Sequence, residues 1–244
     1  MGVFDRLRPQ PRLTPAEPFY AIGDIHGCFE QLADLLRQLK RGVPVVCLGD
    51  YVDRGPNSAA VLHLLQNLPE ITCLRGNHEE MLLRFLDDPA GSGQIWLRHG
   101  GLDTLASYGV AVGQDPHEIR DDLLAAMGAD TLQWLEALPR VFQSGNVVAT
   151  HAGADPSRPI AAQDPVHLTW GHPQFLRRRR RDGHWVVHGH VIVPRPELHP
   201  GRIAVDTGAY ATGSLSAALV LPDGVQFLTV HSGKTQASSI KINR

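Results

Sequence analysis

The sequence has little of several things that would assign it to a class at once. It carries only three cysteines in 244 residues, Cys28, Cys47 and Cys73, and an odd number set among apolar residues gives no disulfide framework. Each reads as a small buried thiol, which fits a reducing compartment. Charge of one sign is not in excess: 23 Lys and Arg face 25 Asp and Glu, for a formal net charge of -2. No global field draws the chain to nucleic acid or to an anionic membrane, so neither is expected as a partner. Residues 1–18 hold four prolines and three arginines but lack the apolar run of about 7 to 15 residues that a signal peptide needs. Arg6 stands where a myristoylation signal needs Ser or Thr. The cytoplasm is the expected compartment. There is no internal repeat and no linker long enough to split domains.

What is there suits one soluble domain. Hydrophobic residues make up 43% and charged residues 20%, unlike a disordered, collagenous or membrane-spanning chain. A tail over 1–18 and a single α/β domain over 19–244 are expected. Phe19 to Gly23, Val43 to Leu48 and Ile71 to Leu74 read as strands, the first two followed by helices at Phe29 to Leu39 and Ser58 to Asn67. Successive βα units predict a parallel sheet with helices on its faces. A Gly-rich break at Ala90 to Gly93 precedes a mostly helical stretch, read as a cap over approximately 92–138. The chain then turns to strands at Val147 to Thr150, Trp185 to Val187 and Ile203 to Val205, which predict a second sheet. Leu215 to Leu221 and Val225 to Val230 read as a hairpin turning through Pro222-Asp223-Gly224.

Each of the first three strands ends in polar residues, where open α/β sheets place their ligand crevice. Asp24 and His26 stand two apart, so an extended backbone would point both to one side. Asp50 has two oxygens with which to bridge a pair of cations. Asn77 offers a carbonyl oxygen, and His151 and His190 offer imidazoles beside glycines. Any one of these could be a helix cap or a satisfied core histidine. Six at successive strand ends, nearly all flanked by glycines that permit close approach, point to a metal centre. Mixed nitrogen and oxygen donors suit manganese, iron or zinc better than calcium.

Gly23-Asp24-Ile25-His26-Gly27, Gly49-Asp50-Tyr51-Val52-Asp53-Arg54-Gly55 and Gly76-Asn77-His78-Glu79 resemble the three signature motifs of the phosphoprotein phosphatases, a branch of the calcineurin-like metallophosphoesterases. His151-Ala152-Gly153 and His188-Gly189-His190 resemble that family's two later histidine motifs. The resemblance implies a four-layer α/β/β/α sandwich of two mixed β-sheets flanked by helices, with a helical cap insert. It implies two divalent metal ions, manganese foremost with iron or zinc as alternatives. Asp24, His26 and Asp50 would hold the first, and Asp50, Asn77, His151 and His190 the second, His190 being chosen over His188. Two such ions activate a water and clamp phosphate oxygens, so the expected nucleophile is a metal-held hydroxide with no phosphoenzyme. His78 would protonate the leaving alkoxide, Asp53 would orient His78, and Arg54 would bind phosphate.

One position departs from the pattern. Many bacterial relatives have an arginine phosphate clamp two residues after a tryptophan, whereas here Trp170-Gly171-His172 places a histidine. Either His172 replaces the clamp, or an arginine of the run Arg177 to Arg181 reaches in from an adjoining helix. That run could equally be a solvated helix end. Tyr210 contacts either substrate or core. The resemblance implies a serine/threonine protein phosphatase acting on phosphorylated proteins or small phosphoesters. Symmetrical bis(5'-nucleosyl)-tetraphosphatase activity is the alternative, disfavoured by Asp53 and Glu79, where that group has Ala and Asp. A non-catalytic interaction module is the alternative of another class, and the completeness of the site speaks against it.

Overall fold

Along β1 (Phe19–Ile22) successive side chains face opposite sides of the strand. Phe19 and Ala21 enter one buried cluster, Tyr20 and Ile22 another. That split sets the layers. A computed structural model describes residues 11–241 apart from 92, 112, 114, 223 and 232.

β1, β2 (Val45–Cys47) and β3 (Ile71–Cys73) pair in parallel. β9 (Ser214–Leu221), β10 (Gly224–His231) and β11 (Lys234–Lys241) add antiparallel strands, giving the order β11-β10-β9-β1-β2-β3. The second sheet contains β4 (Val141–Ser144), β5 (Val147–Thr150), β6 (Trp185–His188), β7 (Glu197–His199) and β8 (Arg202–Ala204), in the order β4-β5-β6-β8-β7. Its β5, β6 and β8 are parallel, while β4 and β7 run against them. Both sheets are therefore mixed, as expected. The hairpin of β9 and β10 forms as well, with Asp223 of its turn outside the described residues.

Between the sheets lies a core of Phe19, Val46, Leu48, Val220, Val147, Trp185, Val187 and Ile203, all fully buried. Each contributes about 1.5 to 3 kcal/mol on burial. The far face of the first sheet packs on helices α1 (Phe29–Gln38), α2 (Ser58–Gln66) and α3 (Asn77–Asp87) through Leu32, Leu35, Val61, Leu62, Leu82 and Phe85. The segment read as a cap holds α4 (Gly93–Trp96), a wide helical turn at Leu97–Gly101, α5 (Leu102–Ser107), α6 (Pro116–Met127) and α7 (Ala129–Ala137). These join the same helical layer, packing on α2 and α3. Over the second sheet's outer face run α8 (Pro165–Trp170) and irregular chain, with Phe175 against Arg202 and His188.

Of the tail read at 1–18, residues 1–10 lie outside the described residues. Pro11 to Pro18 docks on the second sheet: Leu13 is fully buried, Trp185 Nε1 donates to the Pro11 carbonyl, and Asn146 bonds Thr14 N and the Arg12 carbonyl. All three cysteines are free and buried. No helix among the described residues is long and apolar enough to cross a membrane.

Candidate metal centre

Parallel pairing puts the carboxyl ends of β1, β2 and β3 at one edge, so the loops that follow deliver Asp24, Asp50 and Asn77 together. β5 and β6 do the same for His151 and His190 from the second sheet. Asp50 is the hub. Its Oδ2 lies 3.5 Å from His26 Nε2, 3.4 Å from His151 Nε2 and 4.0 Å from His78 Nε2. Asn77 Oδ1 lies 2.9 Å from His151 Nε2 and 3.0 Å from His190 Nδ1. Asp24 closes the ring by accepting the His190 N–H at 3.1 Å, its Oδ1 lying 3.9 Å from His151 Nδ1. The extended Asp24–His26 segment expected from spacing is instead a loop, with His26 at φ 46°. His26 therefore faces Asp50 and His78, while Asp24 turns toward His190.

Among the described residues, the non-glycine positions with positive φ are His26, Asp50, Asp53, Arg54 and His190. Each such conformation costs on the order of 1–3 kcal/mol and persists only where surrounding structure over-determines it. Here Glu79 does much of that. Its buried carboxylate accepts the N–H groups of Asp50 (2.9 Å), Tyr51 (2.7 Å) and Gly76 (2.9 Å), tying two motif loops together. The His26 N–H donates to the Asp50 carbonyl at 2.7 Å and joins the third loop. The fit is close enough that a Cβ at Gly76 would overlap Asp50 Oδ1, and one at Gly189 would overlap Asp24 Oδ1.

The donors are prepared for cations. His26 Nδ1 sits 2.8 Å from the Val52 carbonyl and His151 Nδ1 3.0 Å from that of Leu48. Each Nδ1–H thus donates to backbone and leaves Nε2 its lone pair, as ligation requires. Burial keeps the rings neutral, with His26 pushed down to about 3 and His151 and His190 also lowered. Burial raises the Asp24 and Asp50 carboxyls, and neighbouring Asp206 and Glu79 add to this. Neutral imidazoles facing crowded buried carboxyls form a donor set that two divalent cations would complete.

His78 lies beside this cluster, its Nδ1 2.7 Å from Asp53 Oδ2. Asp53 also accepts Trp96 Nε1–H at 3.0 Å and the Thr104 hydroxyl at 2.7 Å. Burial raises the Asp53 carboxyl and lowers the His78 imidazole. Arg54 places Nη1 3.4 Å from His26 Nε2 and its guanidinium 4.8 Å over the Tyr210 ring, which stands edge-on to His26. Tyr210 is 38% exposed, so it borders the centre rather than filling the core. His188 faces away, bonding the Gly189 carbonyl and packing edge-on to Phe175.

His172 and the arginine run are arranged otherwise than expected. His172 groups with Asp155 and His167, its Nε2 3.8 Å from Asp155 Oδ2. The run is not helical. Arg177 is exposed, whereas Arg180 is buried and donates to the Asp155 and Arg158 carbonyls. Like charges without an apolar period favour no helix, and buried Phe175 anchors the turn before them.

Sequence reasoning missed the work of Glu79, Asp206, Trp96 and Thr104. Glu79 stands inside the third signature motif, whereas nothing in the sequence reading marks Asp206, Trp96 or Thr104. Replacing Glu79 with Gln would leave buried N–H groups facing an amide, at a cost of about 3 kcal/mol on the scale of lost charge-assisted hydrogen bonds. A melting point lower by roughly 6–12 °C is expected at this chain length, and thermal denaturation of the metal-free protein measures it.

The chain matches the family model described as calcineurin-like phosphoesterase over residues 17–194. It is 41% identical over 212 residues to serine/threonine-protein phosphatase 2 of Escherichia coli (strain K12), covering 81% of this chain and 90% of that protein. It is 27% identical over 225 residues to the asymmetrical bis(5'-nucleosyl)-tetraphosphatase PrpE of Bacillus mycoides (strain KBAB4), covering 80% and 87%. A solved structure provisionally described as a diadenosine tetraphosphatase shares the fold, with TM-score 0.61, 24% identity and coverage of 92% and 94%. With its strand ends gathering these donors inside the span of that model, the chain belongs to the calcineurin-like phosphoesterase family and is a metal-binding phosphoester hydrolase.

Proposed function

We propose that the chain is a serine/threonine protein phosphatase whose metals are held by Asp24, His26 and Asp50 on one side and by Asp50, Asn77, His151 and His190 on the other. When bound, two divalent cations activate water and neutralise phosphate oxygens. The observation that carries the reading is His78, held 2.7 Å from Asp53 beside the donor cluster. A serine or threonine alkoxide is a poor leaving group and needs a proton at departure. His78 Nε2, on the inward side of the ring, supplies it. Burial above all, with the His26 and Arg54 charges beside it, disfavours a protonated ring. A phosphate dianion at Arg54 favours the protonated ring and so works against that shift.

Arg54 binds phosphate oxygens with its planar fork, pre-oriented by stacking on Tyr210. Its replacement by Ala should lower kcat/KM by about 10²–10³-fold, the scale for one transition-state donor. Steady-state kinetics measures this, and a fall under about threefold would remove Arg54 from the role of phosphate-binding donor.

A second reading is hydrolysis of dinucleoside tetraphosphates, favoured by the likeness to the relative of Bacillus mycoides, which is named for asymmetrical cleavage. Products separate the readings. A phosphothreonine peptide yields orthophosphate, asymmetrical cleavage of diadenosine tetraphosphate yields ATP and AMP, and symmetrical cleavage yields two ADP. With manganese-loaded protein, kcat/KM for the peptide is expected to exceed that for the dinucleotide. The reverse order would overturn the protein phosphatase reading.

A further inference from the structure

Apart from that centre, the structure gathers a second set of metal-type donors. Asp155, His167 and His172 each place a donor atom within 4.8 Å of the others. They come from three pieces of chain: the loop after β5, helix α8, and the turn that follows it. Asp155 Oδ1 accepts the Ser157 N–H and hydroxyl at 2.8 and 2.7 Å. That leaves Oδ2, which lies 3.8 Å from His172 Nε2 and 3.8 Å from Nε of the largely exposed Arg158. The His167 and His172 rings meet edge to face at 4.5 Å.

An ion pair between Asp155 and His172 would explain two of these residues but not the third. His167 Nδ1 is buried and has no hydrogen-bond partner among the described residues. A buried polar atom left unpaired calls for an explanation, an ion among them. Two imidazoles and a carboxylate form a three-donor set with open positions, suited to first-row transition metals.

We propose that Asp155, His167 and His172 bind one divalent transition-metal ion, zinc more tightly than manganese. The preference follows the general affinity order for nitrogen and oxygen sites. Ligands on a tetrahedral zinc at about 2.1 Å stand roughly 3.4 Å apart, so the three donors close inward by side-chain rotation. His172 Nδ1 now accepts the Gln174 N–H at 3.2 Å. Coordination through Nε2 moves the ring proton to Nδ1, and the Gln174 amide turns away.

The ion would tie α8 to the loop carrying His151. The two already touch, since the Ala152 N–H donates to the Leu168 carbonyl at 2.8 Å. From the same helix, Trp170 Nε1 donates to Glu80 Oε2 at 2.7 Å, two residues beyond His78. Zinc here braces one wall of the catalytic centre without entering it.

The test counts zinc bound per chain, after dialysis, in the full-length protein and in a His167→Ala, His172→Ala double variant. One more ion per chain in the wild type supports the site. Equal content overturns it. The difference does not depend on how many ions the catalytic centre holds, so failure here is distinct from failure of the proposed function. Should the double variant not fold, nitrogen-15 NMR of metal-free wild-type protein titrated with zinc replaces it. Adding zinc alone should shift the His167 and His172 ring nitrogens and the Gln174 amide, and unchanged signals overturn the site.

Discussion

An Asp50→Asn variant is expected to lose hydrolysis of an aryl phosphate by about 10³-fold or more while keeping its fold. Metal ions contribute several kcal/mol of transition-state stabilisation, and each 1.36 kcal/mol is tenfold. A neutral amide at the position proposed to hold both ions forfeits a large part of that. The fold should survive because Asn keeps an oxygen for the His78 N–H, which Asp50 Oδ1 accepts at 3.0 Å. Burial and the nearby Glu79 raise the Asp50 carboxyl above its usual range. An acid whose folded pKa is raised contributes stability below its unfolded value, near 3.9, and loses it as pH climbs through the folded value. At neutral pH the metal-free variant should therefore melt no lower than metal-free wild type. Manganese at about 100 times its Kd should stabilise wild type by about 2.7 kcal/mol per site and the variant far less. Retained activity, or an equal manganese-induced rise in melting temperature, would contradict the role of Asp50.

A His78→Asn variant should separate substrates by their leaving groups. General acid catalysis contributes about 10²–10⁴-fold, so kcat on a phosphothreonine peptide should fall by that range. A nitrophenolate departs without a proton, and kcat on nitrophenyl phosphate should fall by less than about tenfold. Asp53→Asn should move in the same direction, since its carboxylate holds Nδ1 at 2.7 Å with Trp96 and Thr104 behind it. Equal losses on both substrates would take the acid role from His78.

Much of this arrangement is legible in the chain. β1, β2 and β3 announce themselves because buried parallel strands are short apolar runs, and glycines mark the ends where ions approach. That Asp24, His26, Asp50, Asn77, His151 and His190 converge follows from their placement at such ends. The strained backbone that aims them does not, because positive φ at Asp50 or His190 leaves no trace in residue type. The outermost strand, β11, is exposed along its whole length, so no alternation of apolar residues betrays it. Trp96 and Thr104 reach Asp53 across 43 and 51 residues, and such contacts come from packing rather than from a local pattern. His172 aligns with an arginine, and either it or an arginine of the run Arg177 to Arg181 is read as a phosphate clamp. The chain leaves α8 through Gly171 at φ 85° into an irregular turn that sets His172 beside Asp155, a pairing no local pattern announces.

Anomalous diffraction from crystals grown with manganese tests the central claim most directly. Two peaks are expected with Asp50 between them, one against Asp24 and His26 and the other against Asn77, His151 and His190. A single peak, or peaks that leave Asp50 unligated, would contradict the dinuclear centre.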